Sequence, residues 1–71
     1  MMDKTLTWED SYAIALALIQ RYPDKILEEV SLGMVYQWVI SLPGFADDLM
    51  LANDEILAAI YQAWIEEVYN L

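Results

Sequence analysis

Carboxylates are the plentiful chemical groups in this chain, and they come in clusters: Asp24 with Glu28 and Glu29, the adjacent pair Asp47 and Asp48, and Asp54 with Glu55. Oxygen-only groups of this kind suit two tasks. They can ligate hard cations such as magnesium, calcium or manganese with modest affinity and poor selectivity. They can also present negative charge to a basic protein surface and steer its approach. Asp47 and Asp48 alone make a poor chelate, because successive side chains of an extended loop diverge, so Asp54 has to complete any cation site there. General acid-base catalysis is a third use, and it needs one buried and one solvated carboxyl converging on a substrate pocket. Nothing in the spacing arranges two carboxylates in that way.

The residue types that are missing exclude much else. The chain has neither cysteine nor histidine, so it has no thiolate nucleophile, no imidazole base, and no usual ligand set for zinc, haem or an iron-sulfur cluster. Ser11, Ser31 and Ser41 lack an activating base and read as caps and turn residues. The expectation is a protein that is not an enzyme and holds no tightly bound cofactor. Twelve acidic residues against three basic ones give a net charge of −9, which repels a phosphate backbone and argues against nucleic acid as a partner. No apolar run approaches the roughly 18 residues that span a bilayer, and Met1-Met2-Asp3-Lys4 lacks the basic and apolar regions of a signal peptide. No membrane association and a cytoplasmic location are expected.

Positioning these carboxylates falls to a small core. With 71 residues there is room for one domain, and 59% hydrophobic residues, including three Trp and five Tyr, make it dense enough to fold without staples. Thr7-Trp8-Glu9-Asp10 has capping-box spacing, with Asp10 as an alternative cap, ahead of a helix whose Ile14, Ala15, Leu18, Ile19 and Tyr22 share one stripe. Pro23 ends that helix. A turn or short helical piece covers Asp24 to Leu32. Ser31 then caps a second helix with Met34, Val35, Trp38 and Val39 on its apolar face, closed by Leu42-Pro43-Gly44. Asn53 caps the third, where Asp54 and Glu55 complement the dipole and Ile56, Leu57, Ile60, Tyr61, Trp64, Ile65, Val68 and Tyr69 form one broad stripe. All three Trp are expected in or near the core. Alternating strand patterns are absent, so β-structure is limited to short connectors around Val30-Ser31-Leu32. The fold expected is one all-α, compact three-helix domain over residues 1–71, with its core at about 6–68.

Taken in order, Trp8-Glu9-Asp10-Ser11, Tyr22-Pro23-Asp24, Gln37-Trp38-Val39, Leu42-Pro43, Phe45-Ala46-Asp47-Asp48, Asn53-Asp54-Glu55, Ile56-Leu57-Ala58-Ala59-Ile60 and Trp64-Ile65-Glu66-Glu67 resemble the IscX (YfhJ) family of iron-sulfur cluster assembly proteins. The resemblance runs from Leu6 to about Val68. It implies a helical fold of winged-helix type, an acidic surface that binds a cysteine desulfurase, and weak binding of ferrous iron. With weak iron binding implied, the loop pair Asp47 and Asp48, completed by Asp54, supplies the candidate metal ligands. The candidate partner-binding residues are Asp24, Glu28, Glu29, Asp47, Asp48, Asp54 and Glu55. The chain departs from the family pattern at Ile26 and Leu27, where a further acidic residue and a proline are common, and at Leu49, where a proline usually follows the acidic loop. A domain without cysteine cannot carry persulfide sulfur, which leaves adaptor, regulator or iron-delivery roles.

Overall fold

The computed structural model describes residues 5–69. The reading of Met1–Lys4 and the outermost residues of the 1–71 domain lie outside them. Within that range the chain forms α1 (Ser11–Arg21), α2 (Leu32–Ile40) and α3 (Asp54–Tyr69), with 3₁₀ turns at Leu27–Glu29 and Leu49–Leu51. The caps follow local chemistry. The expected capping box at Thr7 is not formed: Asp10, the alternative, is the N-cap of α1 and makes no side-chain cap bond to the helix, its carboxylate instead turning back to accept from the Thr7 N–H (2.9 Å) and hydroxyl (3.2 Å) and closing the turn before the helix. The Ser31 hydroxyl accepts from the Met34 N–H (3.2 Å), and the Asn53 side chain accepts from the Ile56 N–H (2.9 Å). Gly44, at φ 89°, turns the chain after α2 where a Cβ would be strained.

The helices bury one shared core in which Ile14, Leu18, Val35, Val39, Ile60 and Trp64 are essentially inaccessible. Each such side chain contributes about 1.5–3 kcal/mol relative to exposure. α3 packs more extensively on α1 than on α2. Trp8 and Trp64 are buried and Trp38 half-buried, and the Trp38 ring meets Trp64 edge-on at 5.9 Å. Every buried side-chain nitrogen or oxygen among the described residues has a hydrogen-bond partner.

Three local expectations are corrected. The β-pairing among the described residues is a single parallel bridge between Leu6 and Phe45, not a connector at Val30–Leu32, which enters α2 directly. Met34 leaves the apolar face: it is exposed, with its sulfur near the Ser31 N–H (3.4 Å). Val68 and Tyr69 are also exposed. α3 has 16 residues against 11 in α1, about 24 Å against about 16 Å, and its last turn runs beside the Leu27–Glu29 turn, where the Tyr69 hydroxyl donates to Glu28 (3.0 Å).

Candidate docking surface

The bridge between Leu6 and Phe45 brings the segment before α1 against the loop after α2, and this contact sets the acidic loop. Leu6 N–H donates to the Gly44 carbonyl (2.9 Å) and Ala46 N–H to the Leu6 carbonyl (2.9 Å). Trp8 completes the contact: its N–H donates to Asp47 Oδ2 (2.9 Å) and its indole Nε1 to the Asp48 carbonyl (2.8 Å). The Trp8 ring packs edge-on against Phe45 (4.7 Å) and parallel to Tyr36 (6.0 Å).

Asp47 therefore does not stand free. Its second oxygen, Oδ1, accepts from the Asp48 N–H (2.7 Å), so both oxygens hold backbone donors. Asp48 is exposed and uses Oδ1 to accept from the Met50 N–H (3.0 Å), which starts the Leu49–Leu51 turn. Asp54 and Glu55 are exposed in the first turn of α3. Among the described residues no three carboxylates form a group that could hold a metal ion. Both oxygens of Asp47 and one of Asp48 accept from backbone N–H groups, which makes this pair with Asp54 a poor fit to a resident iron centre.

Two surfaces bracket the start of α3. On one side Glu55 shares a depression of about 360 Å³ with Glu9, Ser11 and Trp8, so Glu9, a residue that the sequence pattern leaves as an ordinary solvated position, joins the acidic edge. On the other side a groove of about 480 Å³ lies between the first turns of α2 and α3 and the Leu49–Leu51 turn, with Asp54 on its wall. Asp24, Glu28 and Glu29 sit apart. Glu28 is taken up by Tyr69, which holds the phenol protonated and raises its pKa above the usual tyrosine value. Asp24 and Glu29 line a depression that also contains Lys25, whose ammonium lies over the Trp38 ring (4.9 Å). That second patch is therefore partly neutralised, whereas Glu9, Asp48, Asp54 and Glu55 form the more uniform acidic edge.

A family model described as iron-sulphur cluster assembly matches residues 6–69. The chain belongs to the IscX family. It is also similar to an uncharacterized Pseudomonas aeruginosa protein, PA3808, with 36% identity over 63 residues, 89% of this chain and 96% of that protein. For an IscX-family chain the all-α fold is as expected, and the family places it in iron-sulfur cluster assembly as an accessory component. No helix among the described residues is long and apolar enough to cross a membrane. The local sequence signal for Asp47 was ambiguous, since Trp8 lies 39 residues away along the chain. The exposed Leu49-Met50-Leu51 run was legible as three apolar residues placed between acidic ones.

Proposed function

We propose that this protein is an acidic adaptor that docks on a cysteine desulfurase and modulates sulfur transfer during cluster assembly. The observation that carries this reading is the edge formed by Glu9, Asp48, Asp54 and Glu55, whose carboxylates are exposed around Trp8 and the first turn of α3 in a chain of net charge −9. Such an edge raises the encounter rate with a basic surface and fixes orientation, and both effects weaken as salt screens the charges. Asp47 acts beneath the edge as a positioning residue. Ferrous iron is attracted weakly by the same field rather than chelated, and magnesium competes with it on nearly equal terms.

Calorimetric titration into the cysteine desulfurase of the same organism, at low and moderate salt, tests the adaptor. Affinity falls as salt rises, and the double reversal Asp54→Lys with Glu55→Lys weakens it further. The same double variant loses about 0.3–1 kcal/mol of stability per residue from the helix dipole, so its melting curve is measured alongside. Absence of binding at low salt, or binding indifferent to salt and to the reversal, overturns the reading.

A further inference from the structure

The acidic edge is interrupted by apolar surface. Leu49, Met50 and Leu51 are all exposed, Met50 to 86%, and consecutive exposed residues of this size on a small domain point to a contact surface. They are held in place rather than slack: Asp48 takes the Met50 N–H on its side chain (3.0 Å) and the Leu51 N–H on its carbonyl (3.1 Å). Behind the turn lies the groove of about 480 Å³, lined by Leu32, Tyr36, Leu49, Met50 and Leu57. Gly33 is also on its lining. A Cβ there would meet only the Ser31 hydroxyl, at 3.8 Å, so the position has room for a side chain that this sequence does not supply. The one ionised residue on the lining is Asp54.

We propose that this groove seats a segment of a basic protein partner that carries a large apolar side chain next to lysine or arginine. The apolar side chain lodges against Met50, and the neighbouring cation meets Asp54. The class of partner rests on the adaptor reading above. Charge complementarity selects this occupant over a second copy of the chain: two bodies of net charge −9 repel, and among the described residues neither cation, Arg21 nor Lys25, is on the groove to answer Asp54 in a face-to-face pair, since Arg21 lines a separate depression beside Pro43 and Lys25 covers Trp38. An apolar anchor inside a charged rim is the arrangement in which the centre supplies affinity and the rim supplies rate and register. It predicts a component of binding that salt does not remove.

Amide shifts of the isotope-labelled protein are followed during titration with a short peptide alternating leucine and lysine, and with an all-lysine peptide of equal charge. The leucine-containing peptide binds about tenfold more tightly, the effect of burying one large apolar side chain, and shifts the amides of Gly33, Met50 and Asp54. Gly33→Leu, which fills the groove, and Met50→Ser, at an exposed position, each abolish that advantage and leave the weak binding of the all-lysine peptide. Equal affinity for the two peptides, or shifts confined to another face, overturns the proposal. So does a concentration-dependent dimer that Gly33→Leu dissolves, which assigns the groove to a second copy. The desulfurase separates the two readings: binding that is unaffected by both variants leaves the adaptor standing and the groove refuted. The expected peptide result together with no desulfurase binding leaves the groove standing and the adaptor refuted.

Discussion

Asp47→Ala is predicted to unfold the protein more readily rather than merely to weaken docking. The side chain accepts from the Trp8 N–H at 2.9 Å and from the Asp48 N–H at 2.7 Å. Hydrogen bonds to a charged acceptor are worth about 1.5–3 kcal/mol each, but the Asp48 amide is exposed and water can replace the carboxylate there. The Trp8 amide is different. Its residue is 3% accessible, and rehydrating the N–H means moving the indole off Phe45 and Tyr36, so the orphaned donor costs about 1–3 kcal/mol. The total is about 1–3 kcal/mol, up to about half of the ~5 kcal/mol at the lower end of domain stabilities. In a domain this short each kcal/mol moves the melting temperature by about 4–8 °C, and urea unfolding followed by tryptophan fluorescence reports the same loss as a lower midpoint at unchanged slope. Asp47→Asn keeps one acceptor oxygen and loses about half as much. Asp48→Asn keeps the acceptor for the Met50 N–H and stays within about 0.5 kcal/mol of the parent. An Asp47→Ala protein with the parent's midpoint but no affinity for the desulfurase would refute the positioning role and return Asp47 to the interface.

Three further outcomes follow from caps, turns and titration. Asn53→Ala removes the acceptor for the Ile56 N–H and lowers stability by about 1 kcal/mol, while Asn53→Asp preserves it; equal midpoints for the two would show that the cap contributes nothing. Gly44→Ala forces a Cβ into a backbone at φ 89°, costs about 1–2 kcal/mol, and loosens the Leu6 amide in hydrogen exchange, whereas unchanged protection of that amide would dissociate the turn from the bridge. The Glu28 carboxylate that accepts from Tyr69 raises the pKa of that phenol. A group whose folded pKa is raised contributes stability that is fully present below its unfolded value, about 10 for tyrosine, and is lost as pH rises through the folded value. The difference absorbance titration between the parent and Tyr69→Phe therefore shows a late phenolate, which Glu28→Gln brings back to the ordinary position; an ordinary midpoint in the parent would show that the pair is not formed in solution.

The helices were legible because their signals are local. Ser31 and Asn53 are followed three residues later by the amide that each one caps, and the stripes through Ile14, Leu18, Ile60 and Trp64 repeat at helical spacing. The departures come from partners far away in sequence. Periodicity places Val68 and Tyr69 on the α3 stripe, but the buried length of that stripe depends on what lies opposite, and there a 3₁₀ turn replaces a helix. The loop carboxylates could be found from the sequence, but not their roles, because a partner 39 residues away leaves no mark on local spacing. Of the predicted site residues, Asp48, Asp54 and Glu55 lie along one acidic edge, Asp47 lies beneath it, and Asp24, Glu28 and Glu29 belong to another surface. Glu9 carried no signal beyond its own charge, since only the fold at Trp8 brings it beside Glu55.

Because Trp8 clasps the acidic loop through both its amide and its indole, the loop and the segment before α1 open and close as one cooperative unit. The amides of Leu6, Trp8 and Ala46 then exchange with solvent at a common rate, and a protease that nicks the chain before Ser11 loosens the Asp47–Asp48 loop about 40 residues downstream without touching it. The acidic loop is a borrowed order: Asp47 and Asp48 keep their places as long as Leu6 and Trp8 keep theirs.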